Sequence, residues 1–315
     1  MTPIVINIDV EPVQRVVRGQ TPDWDGFEEL IALMMERRPR LEDASGAPVA
    51  FNWNLRMDPQ IEVGYGRADW VFHRYGREIQ RLLEAGDTLG LHIHTWRPVR
   101  RFFRNTWLAE FDDVDWISHC VQLSFDTFRA NLDRTPTSMS FGDNFMHSCA
   151  IPIMEENGVR ADMSMSPGRP PVGPNAKGEL ANGVTPDYRQ TPRHPFKPSA
   201  ADFTRPGPSN YGFWEIPITS GIVGKTRKGD DHWSKLLFGI RPEWIETLIT
   251  GALEAAAPVI AGDCRTDVLT NEKNRERFIW SMDYLEKMAR THDLRFSRLD
   301  HICDQLDSGA LESGR

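Results

Sequence analysis

The sequence predicts an α/β protein: a single-domain, distorted (β/α) barrel of about seven parallel strands with its active site at the C-terminal strand ends. Three observations predict it. Short apolar runs of β type alternate with amphipathic helical patterns along the chain. The alternation repeats about seven times, as in a parallel sheet. Polar residues able to do chemistry collect at the C-terminal end of run after run, while the opposite ends carry no such set.

Taken in order, the first run, 3–9, reaches Asp9 and then Glu11. The second, 48–54, ends at Asn52 and Asn54, and the third, 88–94, ends at His92 and His94. The fourth, 138–142, leads into Asp143 and Asn144; the fifth, 159–164, carries Asp162 and Ser164. The sixth, 213–218, contains Glu215, and the seventh, 257–262, stops at Asp263. Between them, Ile79, Leu82 and Leu83 form a helical stripe closed by Gly86. Ile117, Val121, Phe125, Phe128 and Leu132 form a second, and a short helix from near Ser148 stops at Asn157-Gly158. Ile245, Leu248, Ile249, Ala252 and Leu253 form another; Ile279, Met282, Leu285 and Met288 form the last.

Residues 166–212 break the rhythm. Their ten prolines rule out a helix, and the segment is too long for a bare connector. Tyr188, Phe196, Phe203 and Tyr211 predict an ordered loop over the barrel mouth. The domain is expected to span 1–307, with 308–315 as a frayed tail.

Composition excludes several classes. A hydrophobic content of 40% supports a large core, and a net charge of −8 argues against a nucleic-acid partner. Arg97, Arg100, Arg101 and Arg104 make only a local basic patch. No apolar run is long enough to span a bilayer. Met1-Thr2-Pro3 leads straight into a core strand, so no signal peptide is expected and the location expected is cytoplasmic. Cys120, Cys149, Cys264 and Cys303 are widely separated and read as reduced thiols. A homo-oligomer is left open.

The i, i+2 spacing within Asp9-Val10-Glu11 and within His92-Ile93-His94 sends each pair to one face of its strand. Two imidazoles and one or two carboxylates converging from separate strand ends make a site for one divalent metal, with a position left for water. Zn2+ suits such donors best, although cobalt, nickel, manganese or iron could also bind. Plainer structural readings exist. His-x-His can be a hydrogen-bonded pair with no metal. An Asp at a strand end can be a helix N-cap, which fits Asp143 and Asp263. Asp9 resists that reading: it ends a run apolar except for Asn7, at a depth where an unpaired carboxylate is costly. His73, His119, His292 and His301 fall in helical contexts, whereas His147, His194 and His232 fall in loops and are candidate proton donors.

The run Ile6-Asn7-Ile8-Asp9-Val10-Glu11-Pro12 resembles the first motif of the NodB-like polysaccharide deacetylases, carbohydrate esterase family four. His92-Ile93-His94-Thr95-Trp96 resembles their histidine motif, and Ser140-Phe141-Gly142-Asp143-Asn144 through Ser164 resembles the third motif with the helix and strand behind it. Trp214-Glu215-Ile216-Pro217 resembles the strand that follows, so the likeness covers about residues 3–305 in the same order. The resemblance implies Asp9 as general base and Glu11, His92 and His94 as metal ligands. It puts Asp263 near the position of the proton donor. Asn54, Trp96, Asp143, Glu215 and Arg265 are the candidate substrate contacts. The implied reaction is removal of an N-acetyl or O-acetyl group from a sugar or saccharide precursor, with a likeness to a subgroup in surface-polysaccharide (O-antigen) biosynthesis.

The chain also departs from the pattern. Val10 splits the usual adjacent acids, the histidine spacing is tighter, Gly142-Asp143 stands where an arginine is usual, and Asp263-Cys264-Arg265 stands near the usual late histidine. Three other readings stay open: a metal-dependent amidohydrolase barrel, a metal-free glycosidase using Asp9 and Glu215, and a sugar-binding barrel without catalysis.

Overall fold

In the computed structural model, residues 1–13, 24–101, 104–174, 183–208 and 211–312 are described. The central strand is β1, Thr2–Val10. Ile4, Val5, Ile6, Ile8 and Val10 are all 0–1% exposed, as expected of a parallel strand covered on both faces. On one side β1 pairs with β2 (Asn52–Arg56), then come β3 (Thr88–Ile93), β6 (Ser138–Phe141), β7 (Ala161–Asp162) and β8 (Trp214–Glu215). On the other side it pairs in parallel with β11 (Ile260–Arg265), and its first residues also pair with β12 (Leu294–Phe296). The gap between β8 and β11 is bridged by irregular chain: Thr219 donates to the Ala261 carbonyl at 2.8 Å, and Phe238 to the Asp263 carbonyl at 2.8 Å. The result is the expected distorted (β/α) barrel, with seven parallel strands in sequence around the sheet.

Register decides what meets what. Asp9 lies beside Asn54, Asn7 beside Asp263, Arg56 beside His92, and His92 beside Ser140. Side chains from strands 255 residues apart in sequence therefore share one end of the barrel, as the Thr266 hydroxyl bonded to the Glu11 carbonyl illustrates.

Helices α1 (Phe27–Ser45), α2 (Pro59–Tyr65), α3 (Trp70–Glu84), α4 (Val114–Leu132), α5 (Ala150–Glu156), α6 (Pro242–Glu254), α7 (Glu272–Thr291) and α8 (Leu299–Asp307) cover the sheet. The helical stripes read from the sequence fall in α3, α4, α6 and α7; α5 ends at Glu156, and the turn that follows it closes on Gly158, whose φ of 71° suits glycine. Among the described residues no helix is long and apolar enough to cross a membrane.

The structure corrects several boundaries. The second strand is Asn52–Arg56, so Asn52 lies at its base, where it bonds Thr88 and Leu299, and Arg56 marks its C-terminal end. The seventh extends to Arg265, so Asp263 is a strand residue and not a helix cap. Asp143 caps no helix either; it sits at φ 63° inside a single 3-10 turn. Two antiparallel hairpins were not anticipated: β4 (Trp96–Arg101) with β5 (Arg104–Ala109), and β9 (Ser220–Lys225) with β10 (Asp231–Lys235). The second places His232 in a strand.

The proline-rich segment is built largely from its own turns and isolated bridges, Val172 to Thr185 and Phe196 to Glu215. Tyr188 and Phe196 are buried, and Phe203 and Tyr211 pack against the core. Residues 175–182 and 209–210 of that segment, and 313–315 of the expected tail, lie outside the described residues.

Candidate active site

A cavity of about 230 Å³ opens at the C-terminal end of the barrel. Asp9, Glu11, His92 and His94 line one wall, Gly142, Asp143 and Asn144 another, and Asp263 and Arg265 a third. The pleat of β1 sends Asn7, Asp9 and Glu11 inward together, and β3 does the same for His92 and His94.

Glu11, His92 and His94 are buried, and one ligand atom from each lies within 4.8 Å of the others. The two Nε2 atoms are 3.1 Å apart; Glu11 Oε2 is 3.2 Å from His94 Nε2, and Oε1 is 3.7 Å from His92 Nε2. Donors at about 2.0–2.1 Å from a tetrahedral Zn2+ are about 3.4 Å apart, so these three side chains fit such an ion. The far side of each imidazole is also engaged. His92 Nδ1 lies 3.2 Å from Asp9 Oδ1 and 3.1 Å from Ser140 Oγ. His94 Nδ1 receives the Trp96 indole N–H at 2.8 Å and faces Asp143 Oδ2 at 3.6 Å. The Asp9 carboxylate beside His92 Nδ1 is an outer partner of the kind that fixes ring orientation in metal sites; at His94 the Trp96 N–H makes Nδ1 an acceptor, and a ring ligating through Nε2 would instead turn its Nδ1–H to Asp143.

The charges are arranged for ligation. Burial alone would raise the Glu11 carboxyl, but Arg265, His92 and His94 outweigh it and hold it well below the usual range. Burial, reinforced by Arg56, keeps His94 well below its ordinary value and hence neutral. His92 goes the other way: burial would lower it, but Asp9 and Glu11 together raise it. A ligand imidazole must be neutral, so His92 is where protons compete with a cation.

Several supports were not read from the sequence. Arg56 is fully buried, with Nη1 3.2 Å from Glu11 Oε2 and Nε 2.7 Å from Asp58 Oδ2. Asp58 in turn accepts the His94 backbone N–H at 3.1 Å, which pins the turn after β3. Lys235 lines the cavity with Nζ 2.6 Å from Asp263 Oδ2, and Arg169, from the proline-rich segment, hydrogen-bonds Asn144. The signal available was weak: charged residues just after a strand or inside a loop are normally solvated.

The remaining candidates divide. Asp143 and Arg265 line the cavity. Asn54 lies beneath it, donating to Asn7 Oδ1 at 2.8 Å and Ser140 Oγ at 3.1 Å, and Trp96 is 1% exposed behind His94. Glu215 is 0% exposed, absent from the cavity wall, and accepts the Met165 N–H at 3.1 Å. Burial first and Asp162 second push Glu215 well above the carboxylate range, so it keeps a proton. Glu215 thus lies behind the cavity, away from the wall that Asp9 lines, which does not favour a two-carboxylate glycosidase using Asp9 and Glu215. None of the candidate proton donors His147, His194 and His232 lines the cavity. Asp263 is raised, mainly by burial and further by Asp9, against the pull of Lys235.

Gly142 permits this packing. A methyl group there would sit 2.0 Å from His94 Cε1 and 2.1 Å from His94 Nε2. Gly142→Ala is therefore expected to displace the ring and weaken metal binding about 10- to 100-fold, the scale of a lost outer-shell partner. Titration with Zn2+ checks this; unchanged affinity would mean the ring has room to move.

Compared by sequence, the chain matches no family model and no curated protein. Compared by structure, it is similar to a candidate polysaccharide deacetylase from Mycobacterium smegmatis, with TM-score 0.53 and 9% identity over 100% of this chain and 93% of the other. It is also similar to a candidate glycoside hydrolase/deacetylase from Parabacteroides distasonis, with TM-score 0.58 and 13% identity over 98% and 71%. A third similar structure is the GH57 branching enzyme of Thermococcus kodakaraensis, with TM-score 0.50 and 12% identity over 97% and 71%. At such identities the likeness is one of fold, and the fold also carries glycan chemistry other than deacetylation. The chain has the distorted (β/α) barrel fold of these structures, the fold that its sequence resemblance to the NodB-like deacetylases implies.

Proposed function

We propose that this chain is a metal-dependent hydrolase that removes an acetyl group, N-linked or O-linked, from a sugar or saccharide precursor. The observation that carries the reading is the buried Glu11–His92–His94 cluster, open to a cavity and flanked by Asp9. The names of the Mycobacterium smegmatis and Parabacteroides distasonis structures support deacetylation as the reaction class. Zn2+ is the ion these donors favour. When bound, a divalent ion polarises the acyl carbonyl and brings the pKa of water down to about 7. A cytoplasmic step in surface-polysaccharide biosynthesis is the setting we propose.

The remaining steps belong to the chain. Asp9, held by the Asn7 amide at 3.1 Å and the Ser140 hydroxyl at 3.3 Å, accepts the proton of the attacking water. The water oxygen bonds to the acyl carbon. The departing nitrogen needs a proton, because an amide nitrogen leaves poorly as an anion. With His147, His194 and His232 all away from the cavity, the Asp263–Lys235 pair is the source. Asp143 and Arg265 flank the space left for the sugar.

Metal analysis of the purified protein should find one divalent ion per chain. Acetate release from an N-acetylated sugar should stop on chelation and return with Zn2+. Full activity after complete chelation would overturn the reading.

A further inference from the structure

We propose that, in the reaction proposed above, Lys235 delivers the proton to the leaving nitrogen and Asp263 anchors its ammonium. The argument rests first on placement. Lys235 Nζ lies 2.6 Å from Asp263 Oδ2; the lysine side chain is 23% exposed and the aspartate 5%, so the ammonium stands between its carboxylate and the cavity. Its backbone is fixed. The next residue, Leu236, donates to the Thr219 carbonyl at 2.7 Å and accepts the Asp263 N–H at 3.1 Å, while Trp233 holds the hairpin to the Pro167 carbonyl at 3.0 Å.

The other proton-bearing groups on the wall are committed elsewhere. His92 and His94 present their Nε2 atoms to each other and to Glu11. Arg169 and Arg265 line the cavity, but a guanidinium does not give up its proton near neutral pH. Ser140 is turned to Asp9. Asp263 has one oxygen taken by Lys235 and the other without a hydrogen-bond partner. Protonating Asp263 would strip the lysine of its counter-charge, whereas the ionised acid holds the ammonium in place.

The step balances. The water proton passes to Asp9 as the water oxygen bonds to the acyl carbon. The C–N bond breaks as an N–H proton of Lys235 passes to the nitrogen, giving a free amine and acetic acid, which then loses the second water proton to solvent as acetate. Asp9 is left protonated and Lys235 neutral, and exchange with solvent restores both.

The test compares two leaving groups in the metal-loaded enzyme. An N-acetylated sugar amine needs the proton; an aryl acetate, whose phenolate departs unaided, does not. Lys235→Ala and Lys235→Arg should each lower amide turnover about 10²- to 10⁴-fold, the usual worth of general acid–base catalysis. Aryl acetate turnover and metal stoichiometry should hold, and added methylammonium should restore amide turnover in Lys235→Ala. Asp263→Asn should lower amide kcat by less, with KM and aryl acetate turnover held. Retained amide turnover in Lys235→Arg would overturn the proposal, since charge alone would then suffice. A parallel fall on both substrates would overturn it too, whereas a wild-type enzyme inert toward both would take down the hydrolase reading itself and this assignment with it.

Discussion

Replacing either His92 or His94 with Ala will remove bound metal and acetate release together. Each imidazole is one of three donors within 4.8 Å, and neither has a substitute at that distance among the described residues. A methyl group leaves Glu11 and one histidine, too few to hold a divalent ion against water. The loss in affinity should exceed the 10- to 100-fold typical of losing an outer-shell partner. Metal content after dialysis and Zn2+ titration read the effect directly, without substrate. Full stoichiometry in both single variants would dismantle the assignment. The wild type carries a pH signature of the same site. His92 retains its proton above the ordinary range, because burial, which would lower it, is outweighed by Asp9 and Glu11. Ligation needs that proton gone. Metal affinity should therefore rise with pH through the histidine range and past its usual midpoint, and fall as His92 charges on acidification.

The strand-end acid and histidine pairs were legible because a period of two and a burial pattern are local properties: the apolar residues from Ile4 to Val10 announce a buried strand, and Asp9 and Glu11 then share a face. The same logic located His92 and His94. What lies between elements was not legible. Arg56 drew no notice in the sequence, yet it is fully buried between Asp58 and Glu11, the latter contact spanning 45 residues. Lys235 reaches Asp263 only because an unforeseen hairpin lays Leu236 and Phe238 along β11. Glu215 illustrates the converse. Its place on a strand resembling a family motif suggested substrate contact, but its strand is two residues long and the proline-rich segment covers it through Phe196. One-dimensional patterns record which face a side chain takes. They do not record which distant loop closes over it.

Changing Asp9 to Asn should separate chemistry from metal binding. The substitution preserves shape and one carbonyl oxygen, so His92 Nδ1, now 3.2 Å from Asp9 Oδ1, keeps an acceptor, as does the Asn7 amide at 3.1 Å. The metal ligands are untouched. At worst the site loses an outer-shell carboxylate, worth about 10- to 100-fold in affinity, which saturating Zn2+ offsets. What Asn cannot do is accept a proton from water. Turnover of an N-acetylated sugar should fall about 10²- to 10⁴-fold, or about 3–5 kcal/mol in barrier at about 1.4 kcal/mol per decade. The loss should appear in kcat, with KM little changed, because the proton moves in the transition state and not on binding. Aryl acetate hydrolysis should fall in parallel, since attack by water precedes departure of either leaving group; in this Asp9→Asn differs from Lys235→Ala. Unchanged turnover at full metal occupancy would remove Asp9 as the base. It would leave the neighbouring acids, Asp143 and Asp263, to be tested in its place.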